Sequence, residues 1–332
     1  MIVRAESCAP PLFYYAYGLT LGSDLPLPEL FTSPRTVHHT RPDILVTVGS
    51  RHGPHPSPIT PFLTRRSASG GVWMQHARTE DGYLLRFPDY ADFYVAADGR
   101  TVAIQASEGT SEDTLRHFLL DQVLPPVLTL HGQQAIHATA VLTQAGVCAF
   151  TGPAGTGKST LAASFQFAGI PLISDDCLIL EPQPDRVVAR PAYPGLRLLD
   201  DALEALCAAD CTTLPVAQYT SKRRPVLEPS GPGFPAGQYP LARIYCLSRE
   251  DCGDEGAAAR ERIEPVSQQE AFLELLRSTF TLDSEDRGVM LRQFRWLDQV
   301  ASLVLVRRLH VPSRFEALAS VRDSILADLG SP

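Results

Sequence analysis

Gly152-Pro153-Ala154-Gly155-Thr156-Gly157-Lys158-Ser159 is a complete G-x-x-x-x-G-K-[ST] phosphate-binding loop. The run before it, Gly146-Val147-Cys148-Ala149-Phe150-Thr151, is short, apolar and β-prone. The run after it, Ser159-Thr160-Leu161-Ala162-Ala163-Ser164-Phe165, has the Ala/Leu content and spacing of a helix start. Strand, glycine loop and helix follow in the order this motif needs, so Gly152 to Thr160 are read as a nucleoside triphosphate site. Glycines let the backbone turn tightly and bring successive N–H groups onto phosphate oxygens at the positive end of a helix dipole. Lys158 then reaches the β- and γ-phosphates, and the Ser159 hydroxyl ligates Mg²⁺. With glycine near 7% of average usage, chance gives the bare pattern in a chain of this length roughly one time in a hundred.

The chain has 332 residues, 44% of them hydrophobic, enough to bury a large core in two domains. Its net charge of −8 supplies no basic field for nucleic acid or an anionic membrane surface. No stretch has the length and apolarity of a membrane span or signal peptide, so a cytoplasmic address is expected. Seven cysteines is an odd number, and Cys148, Cys177 and Cys246 lie in apolar stretches where cysteine acts as a small hydrophobe. No disulfide framework is indicated, and Cys207 and Cys211 lack the companions of a zinc site.

An α/β fold (α+β overall) is expected, with a β-rich N-terminal domain over 1–110, a connecting helix over 111–130 and a catalytic phosphate-loop domain over 131–332. In the first part, Phe13 to Leu21, Ile44 to Val48, Tyr83 to Phe87, Phe93 to Ala96 and Thr101 to Gln105 read as strands of a meandering antiparallel sheet, with turns at Asp81-Gly82 and Asp98-Gly99. The proline-rich 52–61 is a loop, and its histidines, like His38 and His39, read as solvated. Thr110 and Asp113 suggest a capping box opening a helix that runs toward Pro125-Pro126. Farther on, Val216 to Pro240 reads as a long loop around Lys222-Arg223-Arg224, and Glu250 to Ala259 as a hairpin tip. Ser267 and Glu270 form a second capping box. Helices near 285–300 and after Pro312 flank a strand at Leu303 to Val306.

Beyond the loop, Ser174-Asp175-Asp176 ends an apolar strand and returns two carboxylates toward the triphosphate. Adjacent carboxylates suit holding Mg²⁺ and accepting the proton of an attacking hydroxyl. The same three residues also fit a plain turn with a capping carboxylate. His137, in the small, apolar Ala135-Ile136-His137-Ala138-Thr139-Ala140-Val141, is either a satisfied core histidine or a group that orients a nearby carboxylate. Arg197, Lys222 and Arg223 are candidates to contact the transferring phosphoryl group or the acceptor.

In this order and at these intervals, His137, Gly152 to Thr160 and Ser174-Asp175-Asp176 resemble the catalytic domain of HPr kinase/phosphorylase over about 130–200. That resemblance implies a phosphate-loop kinase core related to phosphoenolpyruvate carboxykinase, ATP and Mg²⁺ as cosubstrate and cofactor, and transfer of the γ-phosphate to a protein serine. It makes Asp175 the base, Asp176 a metal ligand alongside Ser159, and His137 the partner of the base; family members assemble into homo-oligomers. Two departures stand out. Thr160 replaces the Glu that usually follows the loop, and Ala192-Tyr193-Pro194-Gly195-Leu196-Arg197-Leu198 stands where a Glu-x-Arg-Gly segment belongs, which leaves phosphorylase activity open. Tyr14-Tyr15-Ala16-Tyr17-Gly18-Leu19 with Leu25-Pro26-Leu27-Pro28-Glu29-Leu30 is similar instead to HPr-kinase-related proteins of lasso-peptide biosynthesis, which implies a precursor peptide, at its C-terminal serine, as the acceptor.

The preferred reading is a serine kinase of a peptide or protein, with the N-terminal region helping to bind the acceptor. A kinase of an HPr-like protein, a kinase of a small-molecule hydroxyl and a catalytically silent ATP-binding module stay open. A guanine-specific switch is disfavoured, because its N-K-x-D motif needs asparagine and the chain contains none. The Leu-Ser-Gly-Gly-Gln signature of ABC ATPases is also missing.

Overall fold

The computed structural model describes residues 11–32, 41–49, 60–67, 69–193, 195–207, 211–226, 237–250 and 260–330. The histidines at 38, 39, 52 and 55 lie outside these residues, as does the hairpin tip expected over Glu250 to Ala259 apart from Glu250, which ends a strand. The chain divides into two compact units, Met1–Gly132 with Thr281–Val289, and Gln133–Phe280 with Met290–Pro332.

In the first unit, β1 (Leu12–Ala16), β2 (Leu19–Ser23), β3 (Phe31–Thr32), β4 (Ile44–Val48), β5 (Pro61–Arg66), β6 (Val72–Thr79), β7 (Gly82–Phe87), β8 (Ala91–Ala96) and β9 (Thr101–Ala106) build one sheet. Its order is β3-β1-β2-β4-β9-β8-β7-β6-β5. From β5 to β9 it is the expected antiparallel meander. β4 departs from that expectation by pairing parallel to both β2 and β9. Parallel neighbours need long crossovers rather than tight turns, and no tight-turn signal joins Ser23 to Ile44. The stretch Phe13 to Leu21 is a hairpin rather than one strand: Tyr17 and Gly18 both have positive φ, 57° and 74°, and reverse the chain.

Helix α1 (Glu112–Phe118) is capped by Ser111, whose side chain accepts from the Thr114 N–H. Thr110, the expected cap, instead donates its hydroxyl to the Tyr90 carbonyl. The helical path continues through Leu119–Val123 into α2 (Leu124–Val127), where Pro125 and Pro126 occupy a first turn that tolerates their missing N–H. Fully buried Phe118 stacks on Phe87 with ring centroids 4.0 Å apart. The expected connector is therefore part of the first unit's core. Residues Thr281–Val289, expected in the catalytic domain, belong to this unit as well. The Arg78 guanidinium donates to both oxygens of buried Asp283, at 2.7 and 2.8 Å, and the Nδ1–H of His76 donates to the Leu282 carbonyl at 3.1 Å.

The second unit comprises β10 (Ala135–Ile136), β11 (Thr139–Thr143), β12 (Gly146–Thr151), α3 (Lys158–Phe167), β13 (Leu172–Ser174), β14 (Leu178–Pro182), β15 (Val187–Arg190), α4 (Asp200–Leu206), β16 (Thr213–Pro215), β17 (Arg223–Pro225), β18 (Tyr239–Glu250), β19 (Arg262–Pro265), α5 (Gln268–Ser278), most of α6 (Arg287–Leu303), β20 (Leu305–Pro312) and α7 (Leu318–Leu329). The main sheet runs β10-β14-β15-β18-β12-β11-β13, with β20 beside β18 and β19 beside β20. Strand β12 carries the phosphate loop and is parallel to β18, which is parallel to β20.

Alternation along β12 explains the layers. Val147 and Ala149 point into a core built with Ala271 and Leu275 of α5 and Trp296, Leu297 and Val300 of α6. Cys148 and Phe150 point the other way, toward Leu161 and Phe165 of α3 and Val321 and Ile325 of α7. Strands buried on both faces read as continuous apolar runs, which is the pattern at 146–151. The capping box of Ser267 and Glu270 opens α5 as the sequence indicates. The basic triplet departs from expectation: Arg223 and Arg224 are in β17, paired with β16, rather than in a long loop. No helix of the described residues is long and apolar enough to cross a membrane.

His76 is 1% exposed, and burial pushes its pKa down to about 4 from an ordinary 6.5. Between those values the unfolded chain binds a proton that the folded chain refuses, so stability is present above pH 6.5 and is lost as pH falls toward 4. Urea melts at pH 7 and pH 4.5 should show a loss that shrinks by about 2 kcal/mol in His76→Gln; an equal loss in both proteins would refute the assignment.

Candidate active site

Sheet register brings the site together. In β11, Thr139 pairs with Phe150 of β12, so the start of β11 lies beside the end of the strand that feeds the phosphate loop. Ala140 pairs with Ser174, which places Asp175 and Asp176 at the same edge. Glycine is needed at position 152 in particular: φ is 135°, and a Cβ there would stand 2.8 Å from the Leu247 carbonyl oxygen. Gly157, at φ 95°, caps α3 and turns the loop into the helix.

Asp175 is fully buried at the centre of this arrangement. Its Oδ1 accepts from the Ser159 hydroxyl at 2.9 Å and from the Thr139 hydroxyl at 2.8 Å, and its Oδ2 accepts the Arg197 backbone N–H at 3.1 Å. Burial raises its pKa, with the charge of Asp176 adding to the shift, and Arg197 and the two hydroxyls oppose it. Asp176 differs from its neighbour. It has φ 71° and a side chain 19% exposed, and it receives a charge-assisted hydrogen bond from the Arg197 guanidinium. The Asp176 carbonyl accepts from His137 at 3.1 Å, so the His137 proton sits on Nδ1, and Nε2 lies 3.8 Å from Asp176 Oδ1. The edge of the His137 ring meets Phe280.

Lys158 is folded onto its own loop, donating to the carbonyls of Gly152 at 2.8 Å and Pro153 at 3.1 Å. Burial lowers its pKa, the aspartate pair raises it, and the charge of Lys222 lowers it further. Lys222 is thus near enough for the two ammonium groups to repel. Arg197 and Arg223, expected to meet phosphate or acceptor, are engaged elsewhere. Arg197 is 2% exposed and braced against both aspartates, with Nε 3.8 Å from Asp175 Oδ2. Arg223 donates to the Thr213 hydroxyl at 2.6 Å and carbonyl at 3.2 Å. Its backbone exchanges two hydrogen bonds with Leu198, which ties the Lys222 hairpin to the Arg197 segment.

Thr139 was not singled out from sequence, although a lone hydroxyl between Ala138 and Ala140 in an apolar strand was a visible signal. A cavity of about 550 Å³ opens beside Gly152 and Pro153, with His137, Cys246, Arg249 and Arg308 in its wall. Among the described residues no cluster of three or more His, Cys, Asp and Glu side chains is placed to hold a metal by itself. The Ser159 hydroxyl, held by Asp175, nonetheless offers a hard oxygen donor of the kind Mg²⁺ takes when substrate phosphates and water complete its shell.

No protein-family model matches the chain, and no curated protein matches it. Among solved structures, the Hpr(Ser) kinase/phosphatase from Coxiella burnetii is similar at 12% identity, over 58% of this chain and 97% of that one, with a TM-score of 0.28. A likeness at that level assigns no chemistry.

Cys246 lines the cavity, but burial pushes its thiol up to about 11, so almost none of it is thiolate near neutrality. Iodoacetamide at pH 8 should modify it at least about tenfold more slowly than an ordinary free cysteine. Rapid labelling, located by peptide mass mapping, would contradict that environment.

Proposed function

We propose that the chain is a Mg·ATP-dependent kinase that moves the γ-phosphoryl group to a serine hydroxyl of a peptide or protein. The lasso precursor peptide, at its C-terminal serine, is the acceptor that the sequence resemblance favours. One observation carries the reading: the Ser159 hydroxyl at the phosphate loop donates to buried Asp175, and next to it stands a second carboxylate, that of Asp176, with the His137 ring 3.8 Å away. A silent nucleotide-binding module needs the loop but has no use for that second carboxylate.

The division of labour between the aspartates exchanges the roles first implied. Asp175 shows no exposed oxygen and already accepts three hydrogen bonds, which leaves no room for an acceptor hydroxyl. It suits holding Ser159, and with it Mg²⁺, in place. Asp176 is the partly exposed carboxylate, and it takes the proton of the acceptor hydroxyl. His137, bonded through Nδ1 to the Asp176 carbonyl, steadies the backbone that carries that carboxylate, and Arg197 offsets the charge of the adjoining pair.

Mg²⁺, when bound by the Ser159 hydroxyl that Asp175 holds, together with the nucleotide, would supply charge neutralisation on the phosphates. The backbone N–H groups of Gly155 to Ser159 face the phosphate oxygens at the start of α3. Lys158 exchanges the Gly152 and Pro153 carbonyls for phosphate oxygens. The acceptor oxygen then attacks in line. Its bond to phosphorus forms as the β–γ bridging bond breaks, its proton passes to Asp176, and ADP departs with the bridging oxygen.

Intact-mass analysis of serine peptides incubated with the protein and Mg·ATP, run beside nucleotide-binding titrations, tests this reading. Lys158→Ala should lose both binding and transfer. Asp176→Asn should bind nucleotide within about twofold of the parent but transfer about 10²- to 10⁴-fold more slowly, the usual scale for removing a general base. Asp175→Asn should lose the Mg²⁺ dependence of nucleotide binding. Full transfer by Asp176→Asn would sink the proposed base.

A further inference from the structure

We propose that the acceptor hydroxyl enters the cavity beside the phosphate loop, and that Arg249 and Arg308 in its wall bind a carboxylate the acceptor carries next to that hydroxyl. This rests on the kinase reading above and adds the residues that recognise the acceptor.

Placement comes first. The cavity, of about 550 Å³, has the loop residue Gly152 on one side and His137 on another. His137 is also the side chain whose Nε2 faces Asp176 Oδ1. We place the acceptor hydroxyl between these two walls, with the phosphorus over the loop on one side and Asp176 behind His137 on the other. The loop N–H groups take the phosphates, so the remaining space is left to the acceptor.

Charge comes second. Three guanidiniums, of Arg249, Arg277 and Arg308, line the cavity with a single carboxylate, that of Glu274. Arg277 spends its charge on Glu274, donating to Oε1 at 2.9 Å. The surplus therefore falls on Arg249, which is exposed, and on Arg308, which approaches Glu270 only to 3.8 Å, beyond hydrogen-bond reach. A local excess of arginine in a chain of net charge −8 is not background. Planar guanidinium forks match a carboxylate through paired hydrogen bonds, whereas a neutral acceptor leaves both forks pointing at water. The transfer itself is unchanged: the carboxylate is bound, not consumed, and serves to hold the neighbouring hydroxyl in line.

The experiment uses the full chain, Mg·ATP and three pools of decapeptides with the same degenerate neutral core. One pool ends in serine with a free carboxylate, the second ends in serine amide, and the third is the amide with aspartate beside the serine. Phosphate incorporation gives kcat and KM, and a nucleotide titration gives Kd, for the parent, Arg249→Gln and Arg308→Gln. One or both carboxylate pools should show a KM about a hundredfold below the amide pool, the scale of two charge-assisted hydrogen bonds, and the better pool identifies the carboxylate as terminal or side-chain. Each variant should erase about tenfold of that preference while the amide KM and the nucleotide Kd stay within about twofold. Equal use of all three pools overturns the proposal and leaves the kinase reading intact. Loss of nucleotide affinity in the arginine variants assigns the cavity to the nucleotide and also overturns it. Transfer to no pool by a parent that binds nucleotide overturns the kinase reading, and this proposal with it.

Discussion

The buried carboxylate of Asp175 is the constraint on which the site depends. It accepts the hydroxyl of Ser159 from α3, the hydroxyl of Thr139 from β11 and the N–H of Arg197 from the segment after β15, so three parts of the chain close on one group. A carboxylate with no exposure is costly unless its lone pairs are met, and here hydrogen bonds and a guanidinium meet them. Each donor is thereby fixed, and the phosphate loop inherits that rigidity through Ser159. The expense of burying the charge holds the loop, the second strand edge and the Arg197 segment in register.

The electrostatics of the site follow from the same group. Two adjacent carboxylates repel, and Arg197, itself buried, is set against both. Lys158 lies in the field of this pair, which raises its pKa, while burial and the charge of Lys222 lower it. The hairpin carrying Lys222 is not loose, since Leu198 and Arg223 exchange backbone hydrogen bonds directly after Arg197. Clamp and second cation are therefore parts of one structural element. The sharp backbone of Asp176, at φ 71°, accompanies the different surroundings of the two aspartates, one wholly inside and one partly exposed near His137.

The first unit shows a different kind of control. Its sheet is closed on one face by a helical stretch centred on Phe118, which touches Phe87, Phe93, Trp73 and Tyr90. The segment Thr281–Val289 joins that unit through Asp283 and Leu282 although it is far along the chain. Arg78 and His76 gave no sign of this in the sequence, because an arginine and a histidine on an alternating strand look like solvent-facing residues until their partners arrive from elsewhere.

What the sequence alone determined was everything governed by near neighbours. The strand–loop–helix around Gly152 to Ser159 was legible because glycine at positive φ, a β-prone run and a helix start are local preferences. The Ser267–Glu270 cap was legible for the same reason, since its two hydrogen bonds join residues three apart. The Ser174-Asp175-Asp176 element could be recognised as chemistry, but not which carboxylate faces which way, because both are Asp and the difference is burial. Only the tertiary structure decided that Asp175 is the inner group, that Thr139 and Arg197 hold it, that Arg223 is locked to Thr213, and that β4 runs parallel to its neighbours. Each of these is a pairing between residues distant in the chain, settled by sheet register and by the need to satisfy buried polar groups. Neither has a signature in a local stretch of sequence.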